Sequence, residues 1–142
     1  MFTKILVPTD GSDSSAKAVQ EAVDIASKLN ASITLFHVVP PLPTAVRGMV
    51  YERQLIEDQM QNGRQILEET KNKISDQNLN VNVDIEMVPG DPAYEICLKA
   101  KEDNYDLIVI GNRGLGEIKS FLMGSISRRV SRHAPCSVLV VR

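Results

Sequence analysis

The sequence contains no tryptophan, only three phenylalanines, three tyrosines and two cysteines, and no basic excess. The two cysteines, Cys97 and Cys136, form no CxxC and have no metal-ligand spacing, which excludes a disulfide scaffold and a thiolate zinc centre. Both are expected to be buried structural thiols, Cys97 on an apolar helix face and Cys136 opening the last strand. No apolar run reaches about 18 residues, so a membrane-spanning helix is not expected. Lys plus Arg number 16 against 18 Asp plus Glu, a formal net charge of −2. A domain that coats a nucleic-acid backbone usually carries a basic excess, so no nucleic-acid partner is expected. Met1-Phe2-Thr3-Lys4 runs directly into a strand pattern without the regions of a signal peptide, and the expected compartment is the cytoplasm.

Apolar residues make up 43% of the 142 residues, enough for one core, and residues 1–142 read as a single domain. Strand and helix patterns alternate throughout. Ile5-Leu6-Val7 is an apolar run ended by Pro8, followed by the polar loop Thr9 to Asp13. Apolar spacing at Ala16, Val19, Val23, Ala26 and Leu29 predicts a helix over 14–30, with Ser12 or Asp13 as N-cap. Ile33 to Val39 reads as a strand broken by Pro40-Pro41-Leu42-Pro43. Ile56, Met60, Gly63, Leu67, Thr70 and Ile74 mark one face of a helix over 48–76.

Val81, Val83, Ile85 and Met87 alternate with Asn82, Asp84 and Glu86, the signature of a strand with one wet face at a sheet edge. Asp91-Pro92 opens a third helix, as N-cap and first helical residue, with the stripe Ala93, Ile96, Cys97 and Ala100. Leu107 to Ile110 is apolar on both faces, as a central parallel strand requires. A glycine-rich loop, a helix near 125–133 and a strand over 137–141 complete the pattern. The prediction is an α/β fold: a five-stranded parallel sheet, order 3-2-1-4-5, with helices on both faces. Chain direction reverses between strands one and four, and ligands of open α/β sheets bind at such a switch point. The loops that meet there are Thr9 to Asp13 and Gly111 to Gly116.

Gly111, Gly114 and Gly116 follow the central strand, and Gly124-Ser125 opens the last helix. Glycines let backbone N–H groups approach a phosphate, and a helix N-terminus adds donors and a favourable dipole. This is an anion cradle without a lysine. A Walker A loop does not fit, because Glu117 follows Gly116 and Lys119-Ser120 arrives two residues late. A dinucleotide fingerprint fails too, since Lys119 stands where a third glycine is needed and the loop follows strand four.

The residues do fit G-x2-G-x9-G-[ST], as Gly111, Gly114, Gly124 and Ser125. This resembles the nucleotide-binding signature of the universal stress protein family. Lys4 to Ser12, His37-Val38-Val39-Pro40 and Pro135 to Val141 are similar to that family's first strand and loop, second-strand end and last strand. The resemblance covers essentially the whole chain. The family has members that keep the glycine signature and bind ATP, and members that have lost it. Every position is kept here, which implies ATP (or its products ADP and AMP), with Mg²⁺ carried on the phosphates rather than in a protein cage.

The resemblance implies Asp10 on the ribose or adenine edge, beside Pro8 and Thr9, with Val38 and Ile110 against base and sugar. Gly111, Arg113 and Gly114 would line the phosphate path, and Gly124, Ser125 and Ile126 would hold the phosphate end. No catalytic residue is expected: His37 and His133 have no nucleophile arranged beside them, and no Walker lysine or arginine finger is evident. Arg128, Arg129, Arg132 and His133 read as a solvated helix face, and residues 49–60 as a core-facing stripe rather than a lid.

The implied role is a regulatory ATP-binding protein of the stress-response type, with at most slow hydrolysis. One alternative is an adenylating enzyme related to ATP pyrophosphatases, whose SGGxDS loop Thr9 to Ser14 faintly resembles. The other is a scaffold acting through protein contacts with an empty pocket. The last strand, apolar on both faces at a sheet edge, predicts a homodimer through residues 137–141.

Overall fold

The computed structural model describes residues 1–114 and 122–142. Gly116, predicted as part of the phosphate loop, lies outside the described residues, as do Glu117 and Lys119-Ser120. The strands are β1 (Lys4–Pro8), β2 (Ser32–Val39), β3 (Asn82–Pro89), β4 (Leu107–Gly111) and β5 (Ser137–Val141). The helices are α1 (Asp13–Leu29), α2 (Glu52–Ser75), α3 (Pro92–Glu102) and α4 (Ser125–His133). All strand pairs are parallel and the order is β3-β2-β1-β4-β5, as predicted.

Strand alternation divides the apolar side chains between two cores. Ile5, Val7, Ile33, Leu35, Leu107 and Val109 face α1 and α2, where Val23, Leu67 and Ile74 pack. Leu6, Phe36, Val38, Ile108 and Ile110 face α3 and α4, where Ile96, Ala100 and Val130 pack. The central strands are therefore buried on both sides. At the edge, Ile85 of β3 remains 37% exposed.

Local chemistry sets the helix ends. The Ser12 hydroxyl caps α1 by accepting the Ser15 N–H at 3.1 Å, and α1 stops at Asn30 in the left-handed region, φ 56°. Asn tolerates that conformation better than branched residues. Asp91 caps α3 by accepting the Tyr94 N–H at 3.0 Å, with Pro92 at the first helical position.

Three expectations change. Ala16 is exposed, and α1 instead buries Ser15, Ala18, Val19, Ala22, Val23 and Ala26. The buried face is wider than the predicted stripe and is centred one residue earlier, which leaves the short Ala16 beyond its edge. α2 begins at Glu52 rather than residue 48, because Gly48 sits at φ +80° inside a stretch of turns. Its first turns overhang a cavity of about 550 Å³ that Met60 and Ile56 line, and Ile56 stays 41% exposed. Cys97 and Cys136 are free but only half-buried, and Cys136 precedes β5 instead of opening it.

Candidate functional site

At the carboxyl end of β1 the chain leaves the sheet in a tightly held turn. The Thr9 N–H donates to the Phe36 carbonyl at 2.9 Å, and its hydroxyl donates to the Val7 carbonyl at 2.9 Å. The buried His37 ring places Nδ1 2.8 Å from the Thr9 carbonyl, which can only accept, so Nδ1 carries the hydrogen. Asp10 then folds back, one carboxylate oxygen accepting the Ser12 N–H at 2.9 Å in an Asx turn. Gly11 follows at φ +84°, a conformation that favours glycine. Ser12 and Ser14, part of the stretch similar to an adenylating loop, serve as helix cap and loop tie.

At the end of β4 the backbone runs against the start of α1. A Cβ on Gly111 would lie 2.7 Å from the Ser14 backbone, so only glycine fits. The Ser14 hydroxyl accepts the Arg113 N–H at 3.1 Å. A Cβ on Gly114 would come within 3.1 Å of an Asp10 carboxylate oxygen, so the two predicted loops face each other at close quarters. Asn112 pins the far side: its N–H donates to Val141, and its carbonyl accepts the Gly124 N–H at 2.8 Å and the Ser127 hydroxyl at 2.9 Å.

The loops enclose a cavity of about 470 Å³ at the switch point. That is within the 300–1,000 Å³ range of small-molecule sites. Pro8, Thr9, Asp10, Val38, Ile110, Gly111, Arg113, Gly114, Ser125 and Ile126 all line it. Gly124 is the predicted residue that does not; it is the N-cap of α4 and donates its N–H to Asn112. The Arg113 and Gly124 amides are thus engaged inside the protein. Arg128, Arg132 and His133 are exposed, and residues 49–60 do not line this cavity.

The sequence reading missed Phe36, His37, Ile96, Ser127 and the pair Asp91–Arg129, which also line the cavity. Arg129 donates two hydrogen bonds to Asp91, at 3.1 and 2.8 Å, joining α4 to the start of α3. That hydrogen bonding, with the Tyr94 N–H second, holds the Asp91 carboxyl below the usual carboxylate range despite some desolvation. A helical Arg four residues after Ser125 and an Asp-Pro cap gave a local signal for each residue, but none for their pairing. Beneath the loops, His37 packs against Gly63 of α2, where a Cβ would fall 2.6 Å from the imidazole. Phe36, Ile96 and Ile110 supply an apolar floor, and the glycine turn and α4 supply the polar end. A flat apolar group tied to an anion is the chemistry this arrangement fits.

The universal stress protein family model matches residues 1–142. This chain belongs to the universal stress protein family. It is 37% identical over 150 residues to the universal stress protein YxiE of Bacillus subtilis, covering all of both chains. Among solved structures, universal stress protein UspA from Lactobacillus plantarum superposes with a TM-score of 0.87 at 29% identity, over 99% of this chain and 98% of that one. A universal stress protein in complex with cAMP superposes with a TM-score of 0.75 at 29% identity, over 99% of this chain and 97% of the other. A universal stress protein family fold at this level, including one relative with an adenine nucleotide, agrees with the predicted architecture.

Proposed function

We propose that this universal stress protein is a regulatory adenine-nucleotide binder that takes ATP into the switch-point cavity. One observation carries the reading: the loops after β1 and β4 close around about 470 Å³, with apolar residues at one end and a glycine turn and helix start at the other. Val38, Ile110 and Pro8 flank the base and sugar. Asp10 accepts from the ribose, its carboxylate already oriented by the Ser12 N–H. Gly114, Ser125 and Ile126 serve the phosphates through backbone N–H groups at the positive end of α4. Gly111 acts through its absent side chain, which lets the two loops close, and Gly124 acts by starting α4 in place. Mg²⁺ enters on the phosphates. The relative in complex with cAMP supports the choice of an adenine nucleotide.

The protein works in the cytoplasm as a homodimer, with the β5 edges of two copies paired. Support comes from β5 lying at the sheet edge with Leu139 38% exposed. Light scattering at tens of micromolar is expected to give twice the chain mass, and a monomer mass defeats the dimer. For the nucleotide, the purified protein is denatured and the released small molecules identified by mass. ATP, ADP or AMP near one per chain is expected. Protein that carries none and binds none on addition contradicts the reading and favours the scaffold alternative.

A further inference from the structure

The charged side chains that line the cavity are Asp10, Asp91, Arg113 and Arg129, two of each sign among the described residues. A nucleoside triphosphate brings several negative charges into a site that is balanced without it. Mg²⁺ carried on the phosphates offsets part of that charge, and an arginine that changes partner can offset more. Arg129 is placed to do so. Its planar guanidinium faces Asp91 as a two-pronged fork, at 3.1 and 2.8 Å, a geometry that suits phosphate oxygens as well as carboxylate. It projects from α4 one turn beyond Ser125 and Ile126, on the same cavity wall. The pair is 52% and 49% exposed, so solvent screens it and little holds it closed. Asp91 has a second task as the cap of α3, which continues without Arg129 through the Tyr94 N–H.

We infer that Arg129 reads the number of phosphates on the nucleotide, resting on Asp91 in the empty site and exchanging that carboxylate for a polyphosphate. This rests on the adenine-nucleotide reading above and adds a specificity residue to it. A monophosphate carries less charge and reaches less far from the sugar, so it competes poorly with Asp91; a triphosphate competes well. The exchange also undoes the contact between α4 and the start of α3. Empty and ATP-loaded forms then present different surfaces at Asp91.

The test is calorimetric titration of the full chain with adenosine, AMP and ATP at one ionic strength, for wild type, Arg129→Gln, Arg129→Lys and Asp91→Asn. Arg129→Gln is expected to weaken ATP about tenfold or more, AMP less, and adenosine not at all, on the usual strength of charge-assisted hydrogen bonds. Arg129→Lys recovers part of the loss, since it keeps the charge without the fork. Asp91→Asn keeps the α3 cap, asparagine being as good an N-cap, and tightens ATP several-fold by removing the competing carboxylate. Arg129→Gln binding ATP like wild type overturns the inference. So does Asp91→Asn weakening ATP as Arg129→Gln does, which makes the pair a structural tie. If wild type itself binds none of the three, the nucleotide reading has failed; if wild type binds and the variants match it, only Arg129's role has.

Discussion

At the amino ends of β1 and β4, Asp106 accepts the Thr3 N–H at 2.9 Å, the Thr3 hydroxyl at 2.9 Å and the Lys4 N–H at 3.1 Å. Lys4 reaches the Asp103 carbonyl and lies 4.5 Å over the buried Tyr105 ring, whose hydroxyl donates to Thr34 at 2.8 Å. Polar groups there satisfy one another and seal the sheet. At the carboxyl ends of the same two strands, glycines replace side chains, and the bonds that hold the loops run around a cavity instead of across it. The same parallel geometry therefore yields a closed end and an open one. What differs is whether the turn residues reach inward. A seal and a site are built from equally ordered bonds.

The sharpest break at the open end is Gly111→Ala. Its methyl would meet Ser14 backbone, which cannot move without shifting α1 from the sheet, so a loss of about 3 kcal/mol is expected in urea unfolding. At the sealed end, Asp106→Ala removes three accepted hydrogen bonds, and because the group is partly exposed the expected loss at pH 7 is about 1–2 kcal/mol. Desolvation pushes the Asp106 carboxyl up, but the Thr3 and Lys4 N–H groups and the Thr3 hydroxyl outweigh it, so its folded pKa is depressed. Its contribution is therefore full above the unfolded carboxylate value and fades as pH falls through the lower folded one. Wild type and Asp106→Ala should converge in acid unfolding curves within that window.

Gly63→Ala tests the support beneath the open end. Helix propensity favours alanine by about 1 kcal/mol, yet the methyl would fall 2.6 Å from the hydrogen-bonded His37 ring and 2.7 Å from the Met87 sulfur. A net loss of about 1 kcal/mol is expected, and a gain would show that His37 can shift. The smallest effect concerns the thiols beside α3 and β5. Burial pushes both Cys97 and Cys136 up. Alkylation of native protein at pH 7.5 should be slower than of a free cysteine peptide, because less of each thiol is ionised.

Much of this was legible in the residues. The wet alternation of Val81 to Met87 placed β3 at an edge, the doubly apolar Leu107 to Ile110 placed β4 centrally, and the switch point followed. Asp91-Pro92 named its own cap. Glycine spacing picked out the loops that meet, since the need for glycine at 111 is a backbone matter that the sequence states directly. Contacts between distant residues were not legible. Arg129 reads as one of several exposed arginines until α3 brings Asp91, 38 residues away, within reach. Gly63 reads only as one position on a helix face until His37 is seen packed on it. Ala16 reads as core from apolar spacing alone, whereas the buried face of α1 is centred one residue earlier, through Ser15, Ala18 and Ala22. The engaged Arg113 and Gly124 amides could not be foreseen either, because glycine spacing marks where a chain turns and not which way its N–H groups point.

The central claim is that the open end holds an adenine nucleotide, and Mg-ATP titrated against the melting temperature of wild type and Gly114→Val tests it most directly. Gly114 lines the cavity outside the left-handed region, and a Cβ there would lie 3.1 Å from an Asp10 carboxylate oxygen, so valine crowds the site from a loop and leaves the sheet and helices in place. At 100 times its dissociation constant ATP should stabilise wild type by about 2.7 kcal/mol, roughly 5–10 °C, and the variant by almost nothing. A wild type that does not respond to ATP, or a variant that responds equally, contradicts the account.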